Sequence, residues 1–256
     1  MSVGSTICAT VDGSVDEAVA KKLIAHVGAS PGEIHITNGK TNVRKGLDGY
    51  VAAARYKPWM VLIDLDQDAD CAPLLRKDWL PARCHFSQMS HPRRRKWACL
   101  RGAAPVFHRR CMRTYCKDGK PSESEADKPT LQAAGESLGE MAAKPRFCFC
   151  VAVRVVEAWL LADAIHISRY LEIDKTRIPS NPEELPDPKA AVVELASGSR
   201  NRKIRTDMVP RPESGRKTGP LYPSFMTEFI CRLWQPDRAA ERSESLRHAI
   251  ERLRRL

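Results

Sequence analysis

The chain has 256 residues, enough for one large domain with an appendage, and it carries a net charge of +11. It contains no apolar run near 18 residues and no basic, apolar leader, so the sequence predicts neither a membrane span nor secretion. Its nine cysteines are an odd number, which favours free thiols in a reducing cytoplasm over a disulfide framework.

The positive charge is unevenly distributed along the chain. Residues 1–83 are neutral overall, residues 84–146 have a surplus of 7 basic residues, and residues 147–256 have a surplus of 4. A neutral part that contains an acidic cluster, followed by basic segments, is typical of a metal site beside a polyanion-binding surface. We therefore expect nucleic acid as a partner, with DNA favoured over RNA.

The first 65 residues alternate between strand and helix patterns. The pattern predicts an N-cap at Ser14 or Asp16 and a chain break at Pro31-Gly32. This alternation indicates an α/β fold with a mainly parallel sheet, in which ligands bind beyond the carboxyl ends of the strands. The predicted strands are 6–11, 34–36 and 59–65, and the predicted helices are 16–27 and 43–55.

The segment VLIDLDQDAD places carboxylates directly after a buried strand. On an extended backbone Asp64, Asp66, Asp68 and Asp70 would share one face. Repelling charges at the end of an apolar strand are costly unless they are solvated, bound to a cation or catalytic. Hard oxygen ligands suit Mg²⁺ or Mn²⁺ and indicate phosphate chemistry, whereas the alternative is a solvated acidic loop.

Further candidate residues follow the other predicted strands. Asp12 comes after the first strand, and Asp16, one helical turn later, is either a further site carboxylate or an ordinary first-turn acid. Lys40, after a glycine beyond the second strand, is a candidate phosphate contact or a solvated loop lysine. Glu157 heads an otherwise apolar helix, which suggests a buried carboxylate facing a metal or a cation. Lys189 either neutralises developing charge or pairs with a carboxylate.

Residues 84–146 have no sustained helical or strand period and contain the run Arg93-Arg94-Arg95-Lys96. Such long irregular segments are rare inside compact domains. Three interpretations remain open: a disordered insertion, a basic arm that orders on nucleic acid, or an abnormally translated stretch.

Regular patterns return after this segment. We expect a mobile basic loop over 198–217, and we expect Ser243 to cap the last helix. The predicted elements are a strand at 147–156, a helix over 156–171, a short helix at 189–196, and closing helices at 225–234 and 243–256.

These blocks together resemble an uncharacterised bacterial family of Toprim-like proteins, related to the nuclease part of OLD-type proteins. ATVDGSVDEAV resembles the first Toprim strand and its acidic turn, and NGKTNVRKGLDGYVAAARYKPWMVLIDLDQDADC resembles the stretch with the DxD pair. VAVRVVEAWLLAD, LPDPKAAV and GPLYPSFMTEFICRLW resemble the later blocks of the family. Toprim proteins usually have Glu where this chain has Asp12, and the segment 84–146 has no counterpart in the resemblance.

The resemblance implies a Toprim-like, mainly parallel sheet flanked by helices. Residues 1–83 would begin this domain, 84–146 would form a long irregular basic insertion, and 147–256 would complete the domain and add a helical C-terminal extension. It further implies a magnesium-dependent nuclease in anti-phage defence, with an ATPase partner. The implied metal ligands, which are also catalytic, are Asp12, Asp64, Asp66 and Glu157. Lys189 would be a further catalytic residue, and Lys40 would bind phosphate.

Two other functions compete with the nuclease interpretation. A haloacid-dehalogenase-like phosphatase also uses a DxD pair, but it would carry that pair near its first strand. A non-catalytic subunit that binds metal or nucleic acid and regulates an ATPase partner is the other alternative.

Overall fold

A four-stranded parallel sheet is the centre of this α/β fold. The structure, a computed structural model, describes residues 5–80 and 146–256. All neighbouring strands pair in parallel in the order β2-β1-β3-β4. This architecture confirms the predicted fold class, a mainly parallel sheet flanked by helices with a helical C-terminal part. The strands are β1 (Thr6–Val11), β2 (Ser30–Ile36), β3 (Trp59–Asp64) and β4 (Phe147–Ala152).

Helices cover both faces of the sheet, and the strand residues alternate between the two cores. On β3, Met60 and Leu62 pack into one hydrophobic cluster, whereas Val61 and Ile63 pack into the other. Strands that are buried on both faces read as continuous apolar runs, which is why the pattern predicted them well. The first three helices are α1 (Ser14–His26), α2 (Lys40–Ala53) and α3 (Ala72–Trp79), with α1 on one face and the other two on the opposite face.

The C-terminal part is helical and packs on the face of the sheet that α1 covers. Its buried side chains, including Trp159 and Trp234, join the same cluster as those of α1. Short 3₁₀ turns lie at Lys175–Arg177, Pro182–Glu184 and Pro212–Ser214. The helices are α4 (Val156–Ala162), α5 (Ala164–Tyr170), α6 (Pro188–Ser197), α7 (Arg202–Asp207), α8 (Tyr222–Arg232), α9 (Pro236–Ala240) and α10 (Glu244–Leu253).

A buried carboxylate connects the 3₁₀ turn Pro182–Glu184 to the last helix. Glu183 Oε1 accepts hydrogen bonds from the hydroxyls of Ser243 and Ser245, at 2.6 and 2.5 Å, and from the Ser245 backbone N–H. The Ser245 hydroxyl in turn accepts from Trp159 Nε1 at 2.6 Å. As predicted, Ser243 also caps α10, because its Oγ accepts from the Leu246 N–H. The polar groups of this Glu183 network are therefore paired with one another, as burial requires.

Two predictions about the first half are wrong in detail. Pro31 and Gly32 lie inside β2 rather than breaking the chain, because β2 is an edge strand, where proline costs no ladder hydrogen bond. Helix α1 begins at Ser14 with Gly13 as its N-cap, instead of Ser14 or Asp16. The Asp16 carboxylate supplies the capping oxygen from within the first turn, accepting from the Gly13 N–H at 2.9 Å.

Three predictions about the second half also need correction. Strand β4 ends at Ala152, four residues before the predicted end. The single helix expected over 156–171 is two helices divided at Asp163, whose buried carboxylate accepts from the Gln235 N–H at 2.9 Å. The segment 198–217, expected as a mobile basic loop, contains α7 and a 3₁₀ turn. Residues 84–145 of the predicted basic insertion lie outside the described residues.

Candidate functional site: carboxylates at the strand ends

Carboxylates converge at the carboxyl end of the sheet, as the sequence predicted. Asp12 directly follows β1, Asp64 ends β3, and Glu157 lies in the first turn of α4, shortly after β4. Asp64 pairs in register with Ala152, the last residue of β4, so the ends of these two strands are level. Residues far apart in sequence therefore meet where parallel strands present their ligand-binding edge.

Asp16 joins this group from the first turn of α1. One oxygen accepts from the Gly13 N–H, so the carboxylate cannot swing freely into solvent. Burial, followed by the nearby charge of Glu157 and a smaller contribution from Asp12, raises the pKa of Asp16 from 3.8 to about 7. Lys189 and the Gly13 hydrogen bond oppose this rise. Asp16 therefore exchanges its proton near neutral pH, as a general acid or base requires.

Asp64 is fixed by the start of α4. Its Oδ1 accepts from the Val156 N–H at 2.9 Å, which satisfies one of the unpaired donors at a helix N-terminus. Burial, together with the charges of Asp16 and Glu157, raises the pKa of Asp64 well above its usual range. A backbone hydrogen bond thus keeps the Asp64 carboxylate in place near carboxylates that repel it.

Among Asp16, Asp64 and Glu157, Glu157 is the most deeply buried, with a side chain only 1% exposed. Its Oε1 accepts from the Tyr222 hydroxyl at 3.2 Å and lies 3.4 Å from Lys189 Nζ. Within the described part of the chain, Oε2 has no hydrogen-bond partner. An unpartnered buried carboxylate oxygen is costly in a purely structural role, so it indicates a ligand or a reacting group.

Lys189 is the cation of this cluster, and it pairs with Glu157 as one of the two sequence interpretations predicted. Burial lowers the pKa of Lys189, but the charges of Glu157, Asp64 and Asp16 outweigh it, so the pKa is raised. The ammonium group is therefore charged at neutral pH. Since its side chain is 44% exposed, it can meet an incoming phosphate from solvent.

Asp66 does not lie on a common face with Asp64, contrary to the expectation of an extended acidic run. The strand ends at Asp64, and Asp66 has a positive φ of 47°, so the backbone turns away. Asp66 and Asp68 are exposed and both accept from Lys40 Nζ, at 2.6 and 2.7 Å. Lys40 is thus tied to carboxylates rather than presented to phosphate. Asp66 stays close enough to contribute to the raised pKa of Asp64.

The chemistry of this cluster suits Mg²⁺ or Mn²⁺, although its present geometry does not form a ligand shell. The donors are carboxylate oxygens, which hard divalent cations prefer, and Glu157 Oε2 is buried without a partner. Among residues 5–80 and 146–256, however, no group of three or more His, Cys, Asp and Glu side chains is placed to hold a metal ion. Asp64, Asp16 and Glu157 are the residues that would do so.

The structure thus brings together Asp12, Asp64, Glu157 and Lys189 from the predicted site residues, with Asp66 and Lys40 at its margin. Sequence reasoning missed Tyr222, which follows a glycine-proline loop 65 residues after Glu157. No local signal marks this tyrosine. Asp16, for which the sequence left a site role and an ordinary first-turn role open, lies in this group, as its position one helical turn after Asp12 allowed.

The comparisons with models of protein families, with curated proteins and with solved structures found no match. The Toprim and OLD resemblance therefore stays a prediction. In residues 5–80 and 146–256, no helix is both long and apolar enough to cross a membrane.

Proposed function

We propose that this chain is a Mg²⁺- or Mn²⁺-dependent phosphodiester hydrolase, a Toprim-like nuclease. The observation that carries the proposal is the buried, mutually repelling group of Asp16, Asp64 and Glu157 beside Lys189 at the carboxyl end of a parallel sheet. Buried carboxylates that gather at such an edge, two of them with a raised pKa, are typical of functional sites. The anti-phage setting and the ATPase partner rest on the family resemblance alone.

Each residue of the cluster has a distinct task in this proposal. A divalent ion held by the carboxylates would supply an activated water and charge stabilisation at phosphate. Lys189, exposed on one side, binds a phosphate oxygen of the substrate. Asp16, whose pKa is about 7, would release its proton as the ion binds, because a carboxylate must be deprotonated to act as a ligand. Tyr222 orients Glu157 by donating to Oε1, which leaves Oε2 for the ligand.

Cleavage assays on supercoiled plasmid, single-stranded DNA and RNA test this proposal, with Mg²⁺ or Mn²⁺ and with EDTA. Asp64→Asn is the informative variant, because an amide oxygen can still accept from the Val156 N–H and preserve the start of α4. Asp78→Asn is the matched control, since Asp78 is exposed and, in the described part of the chain, pairs with Arg44 at 3.0 Å. We expect metal-dependent cutting that falls at least 100-fold in Asp64→Asn and is unchanged in Asp78→Asn.

One observation supports the alternative of a non-catalytic regulatory subunit. Lys189 and Lys40 already neutralise Glu157, Asp66 and Asp68 within the protein, and no metal-holding group stands preformed in the described residues. Calorimetry with Mg²⁺ and Mn²⁺ separates the two functions. Metal binding without cutting would favour the regulatory subunit, whereas the absence of both would refute the metal site.

A further inference from the structure

The segment 198–217 is a concentrated positive surface, defined here as the arginine-rich segment. All seven of its basic side chains are exposed, and it contains only two acidic residues. None of the seven forms an ion pair with an acidic side chain of the described residues, whereas exposed cations such as Lys21 and Arg232 pair with Glu17 and Glu228. The seven are Arg200, Arg202, Lys203, Arg205, Arg211, Arg216 and Lys217.

Backbone hydrogen bonds join the two ends of the second half of this segment. The Gly219 N–H donates to Met208 O at 2.9 Å and the Leu221 N–H donates to Asp207 O at 3.0 Å, so the stretch 209–218 is closed at its base. Gly219 is needed there, because a Cβ atom would lie 2.3 Å from Asp207 O. The buried side chains of Ile204 and Met208 anchor α7. A preorganised charged surface loses little conformational entropy when it binds a partner.

The arginine-rich segment connects two elements of the carboxylate site. It follows α6, whose first turn carries Lys189, and it leads into α8, whose first residue is Tyr222. Both of these side chains contact Glu157. Since the ten residues of α6 span about 15 Å, the first arginines lie roughly that far from Lys189 along the helix. That distance corresponds to about four phosphates along one strand of a duplex.

We propose that the arginine-rich segment is the surface on which a nucleic-acid backbone docks while a neighbouring phosphate reaches the carboxylate site. This inference rests on the proposed function and names how its substrate is held. Exposed guanidinium groups that form no ion pair with the described acidic side chains release counterions when they bind a polyanion, which favours nucleic acid. An acidic membrane is the weaker match, because Ile204 and Met208, the large apolar side chains of α7 and its C-terminal end, are buried and cannot insert.

The docking surface also sets a minimum length for the substrate. A strand must span the roughly 15 Å of α6 to contact both Lys189 and the arginines, so we expect tight binding only from about five nucleotides upward. The Kd of an oligonucleotide of three or four residues should be at least 10-fold higher than that of a 20-mer.

Fluorescence anisotropy with a labelled single-stranded 20-mer and its duplex tests the inference, in EDTA so that nothing is cut. The test variant is the triple Arg202→Gln, Arg216→Gln, Lys217→Gln. The matched control is the triple Lys21→Gln, Arg232→Gln, Arg247→Gln, which removes the same charge from exposed side chains that are ion-paired in helices. Circular dichroism checks that both triples stay folded.

We expect the Kd of the test triple to rise at least 10-fold in 0.1 M salt, while the control triple changes less than threefold. For the single strand, the plot of log binding constant against log salt concentration has a negative slope. Its magnitude should decrease by about 2 in the test triple, since each of the three lost phosphate contacts contributes roughly 0.7. Equal weakening in both triples, an unchanged Kd in the test triple, or no oligonucleotide binding by the unaltered protein would overturn the inference.

The outcomes also separate this inference from the proposed function. Selective loss of binding in the test triple without any cutting by the unaltered protein would keep the docking surface and refute the hydrolase. Normal cutting by the test triple, with an unchanged Kd, would support the hydrolase and refute the docking surface. Binding of vesicles containing anionic lipid that depends on the same three residues, with no binding of oligonucleotides, would assign the surface to a membrane instead.

Discussion

Removing the charge of Asp16 should stabilise the protein above neutral pH. Because the pKa of Asp16 rises from 3.8 to about 7 on folding, the folded chain binds a proton between these values that the unfolded chain has released. Stability that is present below pH 3.8 is therefore lost as the pH rises through 7. A shift of about three pH units corresponds to a cost of about 4 kcal/mol for ionised Asp16 at pH 8.

Asp16→Asn removes this cost but retains a side-chain oxygen that can accept from the Gly13 N–H. Allowing about 1 kcal/mol for a weaker cap, we expect a net gain of about 1–3 kcal/mol at pH 8. At pH 5 only part of the cost is present, so the gain there should be smaller by about 2–3 kcal/mol, and it can become a small loss. The pKa of Asp64 should also fall, because the charge of Asp16 contributes to raising it.

Urea unfolding followed by circular dichroism at pH 5 and pH 8 measures both gains. Glu17→Gln is the control, since Glu17 lies in the same turn but forms an exposed pair with Lys21 at 2.6 Å. Its effect should stay within about 0.5 kcal/mol at both pH values. An Asp16→Asn variant that is destabilised equally at pH 5 and pH 8 would refute the reasoning, and carboxyl-carbon NMR would then show Asp16 titrating near its ordinary value.

Three further predictions concern the surroundings of the site. Tyr222→Phe keeps the buried ring but removes the donor to Glu157, so the affinity for Mg²⁺ measured by calorimetry should change at least fivefold, with a loss of stability of only about 1 kcal/mol. Lys40→Met should leave the fold intact and make Asp66 a stronger ligand, raising Mn²⁺ affinity; unchanged affinity would show that Asp66 lies outside the metal site. Glu183→Ala should lower the free energy of unfolding in urea by about 2–4 kcal/mol, because it leaves the buried hydroxyls of Ser243 and Ser245 without their acceptor. A decrease below about 1 kcal/mol would show that this network contributes little to stability.

The sequence predicted the sheet well because its strands are buried on both faces. The strand β1 was predicted at its observed bounds, and β3 within one residue, since each is an apolar run that ends at polar residues. The edge strand β2 was predicted too short, because the usual breaking effect of Pro31 does not apply at the edge of the described sheet. Edge positions are thus where local pattern and tertiary context disagree.

The site was predicted in its location but only partly in its members. Parallel connectivity alone places Asp12, Asp64 and Glu157 at one edge, so this much follows from strand order. The alternation of aspartates after Asp64 suggested a longer strand, but the positive φ of Asp66 redirects the chain. The contact of Tyr222 with Glu157 joins residues 65 positions apart and depends on how the C-terminal helices pack, which no local pattern encodes.

The arrangement of the three carboxylates supports the proposed binding role over a purely structural one. Asp16 and Asp64 are each held by a backbone N–H, and Glu157 by a tyrosine hydroxyl, so none can rotate away to relieve the repulsion. One ammonium group, that of Lys189, opposes three acidic groups, and Glu157 Oε2 stays unpartnered in the described structure. A structural role would be served better by neutral or paired side chains. Fixed repulsion of this kind is relieved by binding a cation or a proton, so variants that relax it should gain stability as they lose the bound ligand.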